Sequence, residues 1–177
     1  PKLFGLRIYQ LIQGGPLEKA GAKSLSDFII PPEEVQSNQM KFDEWVHSHA
    51  NQEITLSIYS LLTRTFRDLK IKTNELGNKD GILGASVNKE NWSTAHKNVL
   101  HIISVEEYSF AKNEIGLIPI EDYIVAVRPR TPPIISLNKE NFNPLEILGE
   151  VVRKNKGEFL KFFIYNKNKG PREASVI

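Results

Sequence analysis

Gly81-Ile82-Leu83-Gly84-Ala85-Ser86-Val87 is the stretch whose reading decides the fold. It follows the turn-prone Gly77-Asn78-Lys79-Asp80, and its two glycines bracket an Ile-Leu pair before small and β-branched residues lead out to Val87. This order predicts a tight loop entering a strand. Two readings fit such a loop. In one, the glycines only make a turn between two halves of the chain. In the other, they let successive backbone N–H groups line a concavity that binds an anion, such as the carboxylate at the end of a peptide. A strand with a free edge after that loop then holds the rest of the peptide.

Working outward, the two flanking halves repeat one another. Leu6-Arg7-Ile8-Tyr9-Gln10-Leu11 alternates as a half-buried strand does. Gly14-Gly15-Pro16 ends it and opens a short helix over 17–20 that Gly21 stops. Asp27-Phe28-Ile29-Ile30 reads as a buried strand closed by Pro31-Pro32. Phe42, Trp45, Val46 and His49 share one face of a helix of about two turns. Ile54 to Ser60 and Phe66 to Ile71 alternate again. In the second half Leu100-His101-Ile102 answers Leu6-Arg7-Ile8, and Ile115-Gly116-Leu117 answers Ala20-Gly21-Ala22. Asp122-Tyr123-Ile124-Val125 answers Asp27 to Ile30, a helix follows over 144–152, and Phe162 to Asn166 answers Leu56 to Ser60. Arg172-Glu173 then answers Arg67-Asp68. Ordered matches of this kind predict two tandem copies of a small α+β, β-rich domain, over 1–96 and 97–177. The counterpart of residues 81–87 is missing from the second copy, so it is expected to lack its final strand.

Composition narrows the function. The 177 residues can bury one sizeable core or two small ones, and 40% hydrophobic with 25% charged residues is ordinary for a globular protein. No apolar run reaches the roughly 18 residues that cross a bilayer. The absence of cysteine removes disulfides, zinc thiolate sites and cysteine nucleophiles together. A net charge of +2 from 23 basic and 21 acidic residues, scattered along the chain, argues against nucleic acid as a partner. The first residue is Pro1, so the chain is expected to be a piece of a longer protein.

Catalysis and metal binding find little support. His47 and His49 lie two apart, on different faces of the expected helix, with no ligand set around them. Ser86 lacks a nucleophile elbow, and neither an acid/base pair nor a phosphate loop is visible. No cofactor is expected. Ser175-Val176-Ile177 has the form of a peptide ligand, but its place in the repeat is the last strand of the second copy, answering Leu69 to Ile71.

The order of these elements, the Ala20-Gly21 corner and the Asp27-Phe28-Ile29 strand resemble a PDZ domain. The closer likeness is to the core of the Golgi reassembly and stacking protein (GRASP) family, two PDZ-like domains in tandem. Gln13-Gly14-Gly15-Pro16 resembles that family's first corner, Asp27-Phe28-Ile29 and Asp122-Tyr123-Ile124 its paired strand signatures, and Ile58-Tyr59 and Ile164-Tyr165 its hydrophobic-Tyr strands. Gly81 to Val87 resembles its glycine, two aliphatics, glycine, small-residue loop. The resemblance runs from about Phe4 to Ile177. It implies the permuted strand order of bacterial PDZ domains, with the carboxylate-binding strand last.

It also implies a site. Amides around Ile82, Leu83 and Gly84 would cap a terminal carboxylate, Ala85, Ser86 and Val87 would pair with the incoming strand, and Phe42, Trp45, Val46 and His49 would supply the facing wall. Affinity is expected to be roughly micromolar, about −8 kcal/mol, and Leu83→Asp to abolish tail binding with the fold intact. The implied role is a non-catalytic membrane tether on the cytoplasmic face of the Golgi, active in cisternal stacking, ribbon linking and unconventional secretion. The implied partners are hydrophobic C-terminal tails, coiled-coil golgins, transmembrane cargo tails and a second copy of itself, with a myristoyl anchor before Pro1. Some members share zinc with a partner through a His and a Cys. Phe4 stands near that His and the chain has no Cys, so no such bridge is expected. The alternative is a regulatory tandem PDZ piece of a larger membrane-associated protease.

Overall fold

Alternation in the first strand sorts its side chains between two environments. The computed structural model describes residues 3–177, and in it β1 spans Phe4–Leu11. Leu6 and Ile8 join a hydrophobic cluster with Leu17, Ile29, Leu56, Ile58 and Ile71, whereas Arg7 and Tyr9 are buried outside that cluster. The chain continues through α1 (Pro16–Lys19), β2 (Asp27–Ile30), α2 (Glu33–Gln36), α3 (Phe42–Ser48), β3 (Glu53–Ser60), β4 (Thr65–Lys72) and β5 (Ala85–Asn91). These strands form one antiparallel sheet in the order β4-β3-β2-β1-β5. The first and last strands are therefore neighbours, paired from Phe4↔Asn91 to Leu11↔Ala85 with a register shift between Ile8 and Gln10. β5 lies at the edge of the sheet.

A second compact unit begins at Thr94. It contains β6 (Leu100–His101), a π-helical turn (Ala111–Ile115), β7 (Asp122–Pro129), β8 (Ile135–Ser136), α4 (Pro144–Lys154), β9 (Leu160–Asn166) and β10 (Gly170–Val176). Its antiparallel sheet runs β10-β9-β7-β6, with β8 also on β7. The core gathers Ile124, Val127, Leu137, Ile147, Val151, Phe162 and Ile164. The protein is thus β-rich, with two antiparallel sheets and few helices.

The repeat reaches down to single hydrogen bonds. The buried Asp27 carboxylate accepts the Lys23 amide at 2.8 Å and the Arg67 guanidinium at 2.6 Å. That carboxylate raises the guanidinium's pKa above its ordinary value, chiefly through the hydrogen bond. In the second unit Asp122 accepts the Ile118 amide at 2.8 Å and pairs with Arg172. Each arginine also donates to the carbonyl of a left-handed glycine, Gly21 at φ 93° or Gly116 at φ 71°. Only a residue without Cβ turns this corner at no steric cost. The Asp27/Arg67 and Asp122/Arg172 correspondences are therefore one structural device used twice: a carboxylate at the head of a strand ties the preceding corner to the last hairpin.

Three elements depart from the periodic pattern. The turn α2 is too short and polar to show an apolar stripe, and β8 is two residues that gain strand geometry only by pairing Ala126 with Ser136 and Val127 with Ile135. β5 runs four residues past Val87 through Asn88-Lys89-Glu90-Asn91, polar residues held in a strand by the ladder to β1. Ser175 and Val176 lie in β10, opposite Lys161 and Leu160, which is the strand role expected of them.

Candidate functional site

The loop before β5 is fastened to its own unit through its carbonyl groups. Asn74 Nδ2 donates to the Gly81 carbonyl at 2.9 Å, and the Asn74 amide donates to that of Ile82 at 2.9 Å. The Leu17 amide donates to the Leu83 carbonyl at 3.1 Å and the Ile12 amide to the Gly84 carbonyl at 2.9 Å. In a trans peptide the C=O of one residue and the N–H of the next point in opposite directions. Four carbonyls directed into the fold therefore send the amides of Ile82, Leu83, Gly84 and Ala85 the other way. The amides of Ile82, Leu83 and Gly84 donate to no acceptor among the described residues. Consecutive donors without partners are what an anion requires.

Gly84 allows this geometry. Its φ is +67°, and a Cβ there would stand 3.0 Å from Pro16 Cδ and 3.1 Å from Gly15 Cα, neither of which can swing aside. The loop consequently depends on the Gly15-Pro16 corner as much as on its own residues. Gly81 is also left-handed, at φ +78°, but its missing side chain meets open space.

On the other side stands α3. Phe42, Trp45 and His49 form a ring ladder, with centroids 6.3 Å apart for the first pair and 4.1 Å for the second. Trp45 and Val46 belong to the same buried cluster as Ile82 and Leu83, while Phe42, Ala85 and Val87 pack at its margin. The His49 ring nitrogen Nδ1 is 2.7 Å from the Trp45 carbonyl, and Thr73 Oγ1 donates to the His49 carbonyl at 2.6 Å. The structure therefore brings the loop, the start of β5 and this helix into one packed neighbourhood. Ser86 is exposed. His47 is exposed as well and bonds back to the Asp43 carbonyl. No group of three or more metal-ligating side chains assembles among the described residues.

One expectation needs correction. Leu83 is 7% exposed and part of the core cluster, so it cannot be exchanged for Asp with the fold intact. Its amide points away from the partner of the Ile82 carbonyl, while its side chain is core. Two features were overlooked in the sequence. The strap residues Asn74, Ile12 and Leu17 carry no local signal, because they act through backbone or amide groups brought in from distant turns. The alternation Ala85, Val87, Lys89 does carry one, and it places Lys89 on the face that looks toward α3.

A small antiparallel sheet with an edge strand entered from a loop of unpartnered amides, beside a short helix, is a PDZ-like module. The family model of the GRASP55/65 PDZ-like domain matches residues 4–89 and again 56–177. The chain belongs to this family. Golgi reassembly-stacking protein 1 of Homo sapiens is 25% identical over 175 residues, covering 97% of this chain and 37% of its own length. The Mus musculus protein of the same name is 25% identical over 175 residues, covering 97% of this chain and 36% of its own length. The chain thus spans a little over a third of the curated relatives it matches. No helix among the described residues is long and apolar enough to cross a membrane.

Proposed function

We propose that this chain is the peptide-binding part of a non-catalytic Golgi scaffold, and that its first unit takes C-terminal tails by strand addition to β5. The observation that carries this reading is the set of unpartnered amides of Ile82, Leu83 and Gly84 at the entrance to an edge strand. On it, the tail's carboxylate sits on those amides and its backbone pairs antiparallel to Ala85, Ser86 and Val87. Its last side chain meets the His49 end of the wall that Phe42, Trp45, Val46 and His49 form. Main-chain pairing supplies affinity and the apolar wall supplies selectivity. On this reading the unit has the permuted PDZ arrangement, with the ligand-accepting strand last.

Membership in the family favours a scaffold over a regulatory piece of a protease. The tails of golgins and of transmembrane cargo, and a second copy of the protein, are the partners proposed. In stacking, ribbon linking or unconventional secretion, the full-length protein would work at the cytoplasmic face of the Golgi, held there by an N-terminal lipid. A fluorescent fusion of the full-length protein spread evenly through the cytosol, with no Golgi signal, would count against the tethering role.

Ala85→Asp tests the groove. Ala85 is half-buried at the start of β5, and a carboxylate there faces the tail's own. Two like charges about 5 Å apart at a protein surface repel by about 2–3 kcal/mol at an effective dielectric of about 20–30. Binding of a fluorescent peptide with an apolar C-terminal residue is expected to weaken at least tenfold, with the melting temperature changed by only a few degrees. Unchanged affinity would remove the carboxylate from this loop.

A further inference from the structure

The first unit holds a cavity of about 1090 Å³ that none of residues 81–87 lines. It opens at the far end of β5, where Lys89 faces Met40, Lys41 and Phe42 at the start of α3, with Phe4 beside them. We infer that this cavity is a second subsite for the same tail, selecting an acidic residue four positions before the tail's end and a large apolar residue two positions further upstream. The inference rests on the tail-in-groove reading above.

Register supplies the positions. A tail whose last residue lies opposite Ala85 and which runs antiparallel along β5 places its fourth-from-last residue opposite Lys89, about 13 Å away. The period of two then puts that side chain on the same face as the terminal one, toward α3. A further step of two brings the sixth-from-last opposite Asn91, whose partner on β1 is Phe4. The edge of β5 is continuous from the loop to this point, so strand addition that begins at Ala85 leads into the cavity without a break.

Charge supplies the chemistry. The Lys89 ammonium lies 4.9 Å from the centre of the Phe4 ring, which orients it without neutralising it. Neither Lys41 nor Lys89 forms an ion pair among the described residues. The single acid among the described lining residues, Glu44, reaches back to the Lys41 amide at 3.4 Å. Among the described residues, two cations against one anion, beside apolar walls from Phe4, Met40 and Phe42, fit an acidic residue followed upstream by an apolar one.

Fluorescence anisotropy with the full chain and three labelled peptides sharing one apolar-ended tetrapeptide tests this. The first is the tetrapeptide alone. The second adds four residues, with Glu fourth and Leu sixth before the last residue. The third carries Lys and Ser at those positions. The Glu/Leu peptide is expected to bind about tenfold tighter than the tetrapeptide, through a partly exposed ion pair and one buried aliphatic side chain, and the Lys/Ser peptide no tighter. Lys89→Glu should cancel that gain and turn the preference toward the Lys peptide, leaving tetrapeptide affinity as it was. Equal affinities for the two long peptides would overturn the subsite while the groove stands. Absence of tetrapeptide binding would overturn both. Concentration-dependent dimerisation abolished by Lys89→Glu would also overturn it, by giving the cavity to a second copy of the chain.

Discussion

Leu83→Asp is expected to unfold the first unit rather than merely empty its groove. The side chain is 7% exposed and shares a cluster with Ile8, Leu17, Val46 and Ile82. Putting a carboxylate there without a partner costs about 4 kcal/mol or more, because the group is either charged in an apolar site or protonated with its hydrogen bonds unmade. A loss of that size takes a large share of the about 5–15 kcal/mol that holds a typical domain folded. Calorimetry of the full chain should show the transition of the first unit moved down by more than ten degrees or gone. Loss of peptide binding in this variant would therefore say nothing about the loop, whereas the same loss in Ala85→Asp would. A melting profile like that of the parent protein would mean that Leu83 does not pack as described.

Arg7→Met is the second large effect. Arg7 and Glu90 are 1% and 3% exposed and stand 83 residues apart in sequence, joining the first strand to the last. The guanidinium reaches Glu90 at 3.2 Å and the Leu25 carbonyl at 2.8 Å, over the Phe28 ring, and the Tyr9 hydroxyl bonds the same carboxylate. Removing one member of a buried pair leaves the other's desolvation uncompensated, which costs about 3–5 kcal/mol. Adding Glu90→Leu removes the carboxylate that the guanidinium faced. The double variant is expected to recover part of the loss, held short of the parent by the Leu25 carbonyl left behind, at about 1–3 kcal/mol for an unsatisfied group. Urea unfolding of the parent, both single variants and the double closes the cycle. Additive losses would mean that the two charges do not interact.

The same pair shows where reading the chain falls short. Arg7 alternates with Leu6 and Ile8, so its position in a strand predicts a side chain pointing away from the core, toward water. Instead it is buried, and nothing near it in sequence announces Glu90. Lys89 and Glu90 are adjacent in sequence and both polar. In the folded chain they face opposite sides of β5, one charge open at the groove and the other sealed against Arg7 and Tyr9.

Other features were legible because they are local or duplicated. The β2 boundaries follow from an aspartate, three apolar residues and two prolines. The clamp on Asp27 and Asp122 could be anticipated as matched positions, since a repeat shows each pair twice, although only coordinates show that Arg67 and Arg172 reach those carboxylates.

By itself the sequence determined most of the strands, the helices at 42 and 144, the matched order of elements in the two halves, and the glycine loop with its entry into β5, because side-chain periodicity and backbone permissiveness are properties of neighbouring residues. Tertiary structure alone decided that the loop's carbonyls turn inward, that Leu83 is core, and that β5 continues to Asn91 as an edge strand beside a cavity. Those outcomes depend on partners such as Asn74, Leu17, Ile12 and β1, which folding brings together across distances that no local pattern encodes.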